Sequence, residues 1–221
     1  MAEKVLVSWS GGKDSCMALH EILRDQSYQV AALLTTVTHG YQRISMHGVR
    51  RTLLEQQAEA IGLPLREVYI SAGANNEEYE SKLKDALDLS SREGVRSIVF
   101  GDLFLEDIKQ YREKLLTSIG MRGLFPIWKT DTAKLIRRFI EFGYKARITC
   151  VDPKVLDISF AGRLIDQELL SQLPPCVDPC GENGEFHSFV FAGPIFKEEV
   201  KLKVGETVLR DGFYFCDLLS D

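Results

Sequence analysis

Short apolar runs alternate with longer stretches of helical periodicity along the first 130 residues. The runs have the length of strands and occupy residues 5–9, 29–36, 65–70 and 96–101. Apolar residues repeat every three or four positions in the stretches between them, which predicts helices over residues 16–23, 49–61 and 108–120 and a further helix between Asn75-Asn76 and Gly94. Runs that are apolar throughout suit parallel strands covered on both faces. The alternation therefore predicts an α/β fold with a parallel sheet and right-handed crossovers.

The pattern changes near residue 130, where we place a domain boundary. Beyond it, the pattern predicts helices over residues 131–142 and 164–173 and a strand over residues 146–151. Prolines in the segment 174–179 block both helix and strand hydrogen bonding. From Phe189 onward the pattern predicts strands joined by turns near residues 193–194, 205–206 and 211–212. The sequence thus predicts two domains, over residues 1–130 and 131–221, of which the second is a smaller α+β domain.

The turn between the first predicted strand and the first predicted helix is crowded with polar residues. It consists of Ser10-Gly11-Gly12-Lys13-Asp14-Ser15. Glycines permit the positive φ and the close backbone approach that a tight turn needs. The N–H groups at a helix N-terminus attract phosphate, and Lys13 adds a full positive charge, whereas Asp14 is better suited to brace the loop or cap the helix. A plain glycine turn would not explain this crowding.

Two well-known phosphate motifs do not fit this turn. A Walker A loop requires a glycine where Val7 stands, and it does not allow Asp14 directly after Lys13. The turn also lacks the three spaced glycines of a dinucleotide-binding loop. The sequence therefore points to a different kind of phosphate-binding loop.

A second polar stretch lies near the C-terminus. It consists of Cys180-Gly181-Glu182-Asn183-Gly184-Glu185-Phe186-His187-Ser188. A loop so dense in polar groups is costly to bury unless those groups are paired or contact a ligand. Taken alone, the stretch fits a solvated turn equally well.

Composition and charge narrow the range of functions. The 221-residue chain has a formal net charge of -5, which argues against non-specific nucleic-acid binding, although a local basic patch stays open. No apolar run approaches the roughly 18 residues of a membrane span, and the first strand begins so early that we expect no signal peptide. The five scattered cysteines favour a cytoplasmic protein with free thiols.

Taken together, these motifs resemble the diphthine–ammonia ligase family of ATP pyrophosphatases, whose pyrophosphate loop matches residues 10–15. The resemblance extends along essentially the whole chain. It is carried further by four elements, namely Gly101-Asp102, Phe125-Pro126-Ile127-Trp128, Ala161-Gly162-Arg163 and residues 180–186. It implies a Rossmann-like ATP domain and a C-terminal domain that shapes an acceptor pocket. It also implies cleavage of ATP to AMP and pyrophosphate, which activates a carboxylate for amide formation. We expect the reaction to require Mg²⁺ and to use ammonia or an amine as the nitrogen donor.

The chain departs from the family pattern in two places. Residues 109–113 match only part of the Tyr-Gln-Arg-x-Arg-x-Glu run of ligases that act on diphthine. Asn183 and His187 stand where those ligases often have glycine and glutamate. The acceptor is therefore left open, and diphthine on a translation elongation factor is one candidate among several small-molecule or protein carboxylates.

The resemblance and the residue chemistry together give three sets of candidate site residues. The ATP-binding set is Ser8, Ser10, Gly11, Gly12, Lys13, Asp14, Ser15, Thr35 and Gly101. The catalytic set is Lys13, Asp102, Glu182, Glu185 and His187. The substrate-binding set is Asn183, Gly184 and Arg163.

The candidates have chemical reasons, and several of them also have a plainer alternative. Asp102, at a strand end, suits Mg²⁺ or the activated acceptor, and a helix cap is the alternative. Glu182 and Glu185 suit an ammonium ion or a general base. His187 suits a general base or a phosphate contact near neutral pH, or else a half-buried structural role. Arg163 suits an acceptor carboxylate or phosphate, or else an ordinary helix salt bridge. His47 lies near the exit of the second strand and is only a weak candidate for a nucleotide contact.

Other functions stay open on the sequence. A sulfur transferase acting on RNA would use the same loop, but it would need a reactive cysteine pair and a basic surface. A protein that senses nucleotides without turnover would not need the second set of acids. The spacing of Cys176 and Cys180 is tolerable for zinc, although no second close pair exists. Formation of a homo-oligomer is also left open.

Overall fold

The computed structural model describes residues 2–38, 43–44, 48–71 and 73–221, so His47 lies outside the described residues. In chain order the elements are β1 (Glu3–Ser8), α1 (Lys13–Arg24), β2 (Tyr28–Thr38), β3 (Arg43–Ile44), α2 (Arg51–Ile61), β4 (Leu65–Ile70), α3 (Asn76–Arg92), β5 (Ser97–Val99), α4 (Glu106–Thr117), β6 (Arg122–Leu124), α5 (Thr132–Glu141), β7 (Lys145–Val151), a 3₁₀ turn (Ile158–Phe160), α6 (Gln167–Gln172), β8 (Phe186–Ala192), β9 (Leu202–Arg210) and β10 (Phe213–Ser220). No helix within the described ranges combines the length and the apolar composition needed to cross a bilayer.

The first sheet contains five parallel strands in the order β4-β2-β1-β5-β6, and the short β3 pairs antiparallel with β2. The predicted Rossmann-like α/β fold is confirmed. The chain moves outward in one direction from β1 through β2 and β4, and in the other through β5 and β6. The order thus reverses between β1 and β5. In open sheets of this kind, ligands bind outside the carboxyl ends of the strands at such a switch point.

Both faces of the central strand β1 are buried, as the apolar runs predict. Leu6 packs into a core cluster with Leu87 of α3 and Leu116 of α4, and all three side chains are at most 1% exposed. Val5 and Val7, which point to the opposite face, are fully buried as well. Each such side chain contributes about 1.5–3 kcal/mol when it is removed from water. The core therefore fixes β1, and with it the turn that follows β1.

The second sheet is antiparallel, in the order β8-β7-β10-β9. The predicted turn at Asp211-Gly212 joins β9 to β10, and both residues have positive φ. The turn predicted near residues 205–206 is wrong, because Gly205 lies inside β9 opposite a bulge between Cys216 and Leu218. A Cβ at Gly205 would lie 3.2 Å from the Asp217 carbonyl oxygen, so the glycine serves a close strand approach there.

The contacts within the chain divide it into two compact units. The first consists of Met1–Ser10, Asp14–Ser45 and Leu63–Lys129. The second consists of Gly11–Lys13, Met46–Gly62 and Thr130–Asp221, so it includes helix α2 and three residues of the glycine-rich turn. The functional division predicted at residue 130 stays a prediction.

Candidate active site

In the first unit, the start of α1 lies directly against the end of β5. A Cβ at Gly101 would lie 2.6 Å from the carbonyl carbon of Asp14 and 2.7 Å from the nitrogen of Ser15. Real Cβ atoms do not approach backbone this closely, so only glycine fits after β5. The hydroxyls of Ser10 and Ser15 lie 3.2 Å apart and share a hydrogen bond. These residues therefore form one surface at the switch point of the parallel sheet.

Asp102 is a half-buried carboxylate that an arginine holds in place. Its Oδ2 lies 3.0 Å from Nε of Arg112, whose guanidinium stacks 4.3 Å from the ring centroid of Phe100. Burial raises the pKa of Asp102, the charge of Arg112 opposes this, and the charge of Asp14 adds to it. Helix capping does not explain Asp102, because α4 begins at Glu106 and its N-cap is Leu105.

Thr35 lies beyond the end of β1, on the part of β2 that runs past Ser8. Ser8 pairs with Leu34, and Thr35 follows it at the carboxyl end of the sheet. The Thr35 side chain is 3% exposed, and its Oγ1 has no hydrogen-bond partner within the described chain. A buried hydroxyl without a partner costs free energy, so a polar ligand group would satisfy it. Thr35 therefore places a buried hydroxyl without a partner in the described chain at the carboxyl end of the sheet.

In the second unit, strand β8 holds the middle of the glycine-rich turn. The backbone N–H of Lys13 donates to Oγ of Ser188 over 3.2 Å, and the N–H of Val190 donates to the Gly11 carbonyl oxygen over 2.9 Å. Lys13 is only 5% exposed, and its Nζ lies 5.6 Å from the ring centroid of Phe186. The lysine that the sequence singles out is thus buried, with its ammonium over the Phe186 ring of β8.

Sequence reasoning missed Gln57 as a residue of this region. Its Nε2 donates to the carbonyl oxygens of Gly11 and Val190, over 3.0 and 2.5 Å, and its side chain is fully buried. The sequence did hold a signal, because Gln57 is a polar residue on the face of α2 that carries the apolar Leu54 and Ala58. Ser188 belongs to the polar stretch near the C-terminus, but its residue type alone does not indicate that it accepts from Lys13 N–H.

The polar stretch near the C-terminus is an internally bonded loop. Glu185 is 5% exposed, and its carboxylate accepts hydrogen bonds from the N–H groups of Asp178 and Asn183 and from Nδ2 of Asn183, all over 2.8–2.9 Å. Asp178 in turn accepts from the N–H groups of Cys180 and Glu182 through Oδ1, and from the Thr132 hydroxyl through Oδ2. Two carboxylates therefore order this loop, which is not a solvated turn.

These bonds separate the roles of the two glutamates. Burial raises the pKa of Glu185, but the hydrogen bonds from Asn183 and from backbone N–H groups outweigh it and lower the pKa overall. Glu185 is thus ionised and committed to its own loop, where it also occupies the amide of Asn183. Glu182 is partly exposed, and Gly184 has open space around its Cα. Of the two acids, Glu182 is the better placed to meet a ligand.

His187 lies in β8 opposite Cys150 of β7. Burial lowers the pKa of His187 to about 4, and the positive charge of Lys13 adds to the effect. The imidazole is therefore neutral at neutral pH. A neutral imidazole can accept a proton, whereas an imidazolium cannot, and a pKa of about 4 makes His187 a weaker base than an exposed histidine.

We predict a pH-dependent loss of stability from His187. Because its pKa is lower in the folded chain, its contribution is complete above pH 6.5 and is lost as the pH falls from 6.5 to about 4. The loss amounts to about 3 kcal/mol. Denaturant unfolding should give a smaller slope against pH in this window for His187→Gln than for the wild type. Equal slopes for the two proteins would contradict the buried, neutral state.

Of the remaining candidate residues, Arg163 and Cys180 make local contacts within the second unit. Nη1 of Arg163 donates to Oε1 of Gln172 over 2.6 Å, and its guanidinium lies over Phe160. Cys180 donates from Sγ to the Thr132 carbonyl oxygen, and Cys176 is exposed. Within the described ranges, no group of three or more His, Cys, Asp or Glu side chains is arranged to hold a metal ion.

Both halves of the chain match the same family. Residues 3–123 match the family model of the diphthamide synthase N-terminal domain, and residues 131–218 match that of the diphthamide synthase C-terminal domain. The chain is similar to proteins named diphthine–ammonia ligase. It is 25% identical to the one from Homo sapiens, with 94% of this chain and 85% of the relative covered, and 27% identical to the one from Danio rerio, with 94% and 89% covered. The relative from Schizosaccharomyces pombe is 25% identical over 97% of this chain, which spans only 38% of that longer protein.

Proposed function

Because this chain belongs to the diphthamide synthase family, we propose that it is an ATP-dependent ligase that joins ammonia to a carboxylate of the diphthine type. Its relatives bear the name diphthine–ammonia ligase, which supports both the acceptor class and the nitrogen donor. The observation that carries the proposal is the contact of Gly101 with the first turn of α1. It packs the end of β5 directly against the first turn of α1, with no side chain between them, at the switch point of the sheet. A triphosphate at that edge of the sheet can bind the backbone N–H groups of a helix N-terminus.

We assign ATP to the carboxyl ends of β1, β2 and β5. The α1 turn takes the β- and γ-phosphates, with Lys13 as the cationic partner, and the buried hydroxyl of Thr35 takes a polar group of the nucleoside. Mg²⁺ would neutralise the phosphates, with Asp102 as the carboxylate that we assign to it. The ATP-binding set is Ser8, Ser10, Gly11, Gly12, Lys13, Asp14, Ser15, Thr35 and Gly101.

The first chemical step activates the acceptor. A carboxylate is a poor acylating agent, because its oxygen is a poor leaving group. An oxygen of the carboxylate attacks the α-phosphorus of ATP, the bond from that phosphorus to the α–β bridging oxygen breaks, and pyrophosphate leaves with the bridging oxygen. Lys13 and the N-terminus of α1 stabilise the charge that develops on the pyrophosphate. The product is an acyl-adenylate.

The second step forms the amide. Ammonia attacks the acyl carbon, the bond from that carbon to the AMP oxygen breaks, and the nitrogen gives up a proton. Glu182 attracts the ammonium ion, and the neutral imidazole of His187 takes a proton from the nitrogen. Asn183, Gly184 and Arg163 are proposed to bind the acceptor. Glu185 contributes by holding the loop that carries Glu182 and Asn183.

An isotope experiment tests the proposed chemistry. With an acceptor whose carboxylate carries ¹⁸O, ammonium and MgATP, we expect AMP and pyrophosphate as products, with one ¹⁸O atom in the AMP. Amidated acceptor together with unlabelled AMP would rule out the acyl-adenylate. Formation of only ADP and phosphate would contradict the assignment of the loop to pyrophosphate. A reaction without enzyme serves as the control for non-enzymatic exchange.

A further inference from the structure

The middle of the glycine-rich turn belongs to the second unit and is hydrogen-bonded within it. Gly11–Lys13 group with α2 and β8, although the turn directly follows β1 in the sequence. Val190 N–H donates to the Gly11 carbonyl oxygen, and Oγ of Ser188 accepts from the N–H of Lys13. Gly11 and Lys13 are two residues apart in the turn, and they bond to Val190 and Ser188, which are also two residues apart in β8.

The side chain of Gln57 in α2 bonds to both the turn and β8. Its Nε2 donates to the carbonyl oxygens of both Gly11 and Val190. The Gly11 oxygen therefore accepts two hydrogen bonds, which uses both of its lone pairs. A Cβ at Gly11 would lie 2.7 Å from Cδ1 of Leu54 and 2.9 Å from Oε1 of Gln57, so the backbone at Gly11 has little room to move.

The orientation of one peptide unit follows from these contacts. A trans peptide is planar, and its N–H points opposite to its carbonyl oxygen. Because the Gly11 carbonyl points at Val190 and Gln57, the N–H of Gly12 points away from them. Gly12 N–H is one of the donors that we assign to the pyrophosphate. The direction of that donor is set by Gln57 and β8.

We infer that Gln57 is a positioning residue for the pyrophosphate loop, an inference that rests on the function proposed above. It acts through the Gly11–Gly12 peptide and does not touch the reacting atoms. β8 begins at Phe186, directly after Glu185, and it carries His187 as well. The strand that orients the phosphate donor therefore also carries the proposed proton acceptor. Residues of β8 thus serve both proposed steps of the reaction.

The test compares Gln57→Met with Gln56→Met in the full-length protein. Methionine keeps the length of the side chain but removes the donor to two buried carbonyl oxygens. Gln56 is the neighbouring glutamine of α2, and it is exposed and pairs with Ser220. Calorimetry with pyrophosphate and, separately, with AMP should show about tenfold weaker pyrophosphate binding for Gln57→Met, with AMP binding unchanged. The kcat should fall while the KM for ammonia stays the same, and Gln56→Met should match the wild type.

Several outcomes would overturn the inference. Pyrophosphate affinity of Gln57→Met within twofold of the wild type would do so, as would equal losses of pyrophosphate and AMP affinity, which indicate a merely structural role. A wild-type protein that binds neither ligand would overturn the proposed function as well. If Gln57→Met does not fold, the same measurements on Gln57→Leu decide the matter, because leucine also removes the donor to the carbonyl oxygens of Gly11 and Val190.

Discussion

Replacing Lys13 with alanine is expected to reduce the rate of AMP formation by about 10²–10³-fold, the typical cost of removing one preorganised group that stabilises developing charge. The Lys13 side chain is 5% exposed and lies over the Phe186 ring, so its ammonium is held in a water-poor environment. A charge in such an environment acts on a departing pyrophosphate far more strongly than a charge in water. Lys13→Arg should recover only part of the rate, because a planar guanidinium does not replace a compact point charge.

The matched control for this variant is Lys134→Ala. Lys134 is an exposed lysine in the first turn of α5, and its substitution should leave turnover unchanged. Thermal unfolding of Lys13→Ala should show a folded chain, because the methylene groups that are lost are few. Turnover within threefold of the wild type would contradict the role that we assign to Lys13.

A second readout reports whether Lys13 acts where we propose. Burial and the charge of Lys13 together lower the pKa of His187. Removal of the charge should therefore raise that pKa above its value of about 4 in the wild type, which NMR titration of the imidazole can measure. An unchanged His187 titration in Lys13→Ala would show that the two side chains do not interact.

The parts of the fold that follow local rules could be predicted from the sequence. Gly62 ends α2 with a φ of 82°, and Asn75 caps α3 by accepting from the N–H of Glu78, as their residue types indicate. The strand, glycine-rich turn and helix at residues 3–24 also follow from spacing alone. Such features depend on a few neighbouring residues, so one sequence is sufficient to predict them.

The parts that depend on distant pairing could not be predicted. Gln57 bonds to Val190, 133 residues away, and Lys13 bonds to Ser188, 175 residues away. Nothing in the neighbourhood of Gln57 indicates which carbonyl oxygens it meets. β6 was missed because it is three residues long and is defined mainly by its pairing with β5.

The role of Glu185 illustrates the same limit at the site. Its residue type suits catalysis, and the family motif includes it. The structure surrounds it with three N–H donors instead, because Gly181 and Gly184 have positive φ and turn the backbone inward. The sequence contains these glycines, but it does not indicate which of the two acids their turns enclose.

Replacing Glu185 with glutamine is expected to disorder the loop and abolish conversion of the acceptor. The carboxylate accepts three hydrogen bonds, and the NH₂ of a glutamine would face N–H donors in place of one oxygen. Leaving buried donors without acceptors costs about 1–3 kcal/mol, which we expect to find as a loss in the free energy of unfolding at pH 7. Glu199→Gln is the matched control, because Glu199 is an exposed glutamate that pairs with Lys145 at the surface.

The stability lost in Glu185→Gln depends on pH in a direction that the pKa of Glu185 determines. Burial raises the pKa of Glu185, but the hydrogen bonds outweigh it, so the pKa is lower in the folded chain. The stability that Glu185 contributes is therefore present above its unfolded pKa of 4.5, and it is lost as the pH falls through the folded value. The gap in unfolding free energy between the wild type and Glu185→Gln should thus narrow in acid. A constant gap would indicate that the carboxylate charge has no part in holding the loop.

Binding of ATP should survive the loss of this loop. β8 pairs with β7 along its length, from Phe186 to Ala192, so it stays in place when the residues before it become disordered. Ser188 and Val190 then continue to hold the glycine-rich turn, and Gln57 continues to orient the Gly11 carbonyl. Calorimetry should give ATP affinity close to wild type for Glu185→Gln and a large loss for Lys13→Ala. If Glu185→Gln lost ATP affinity as severely as Lys13→Ala, the separation of nucleotide binding from acceptor conversion would be wrong.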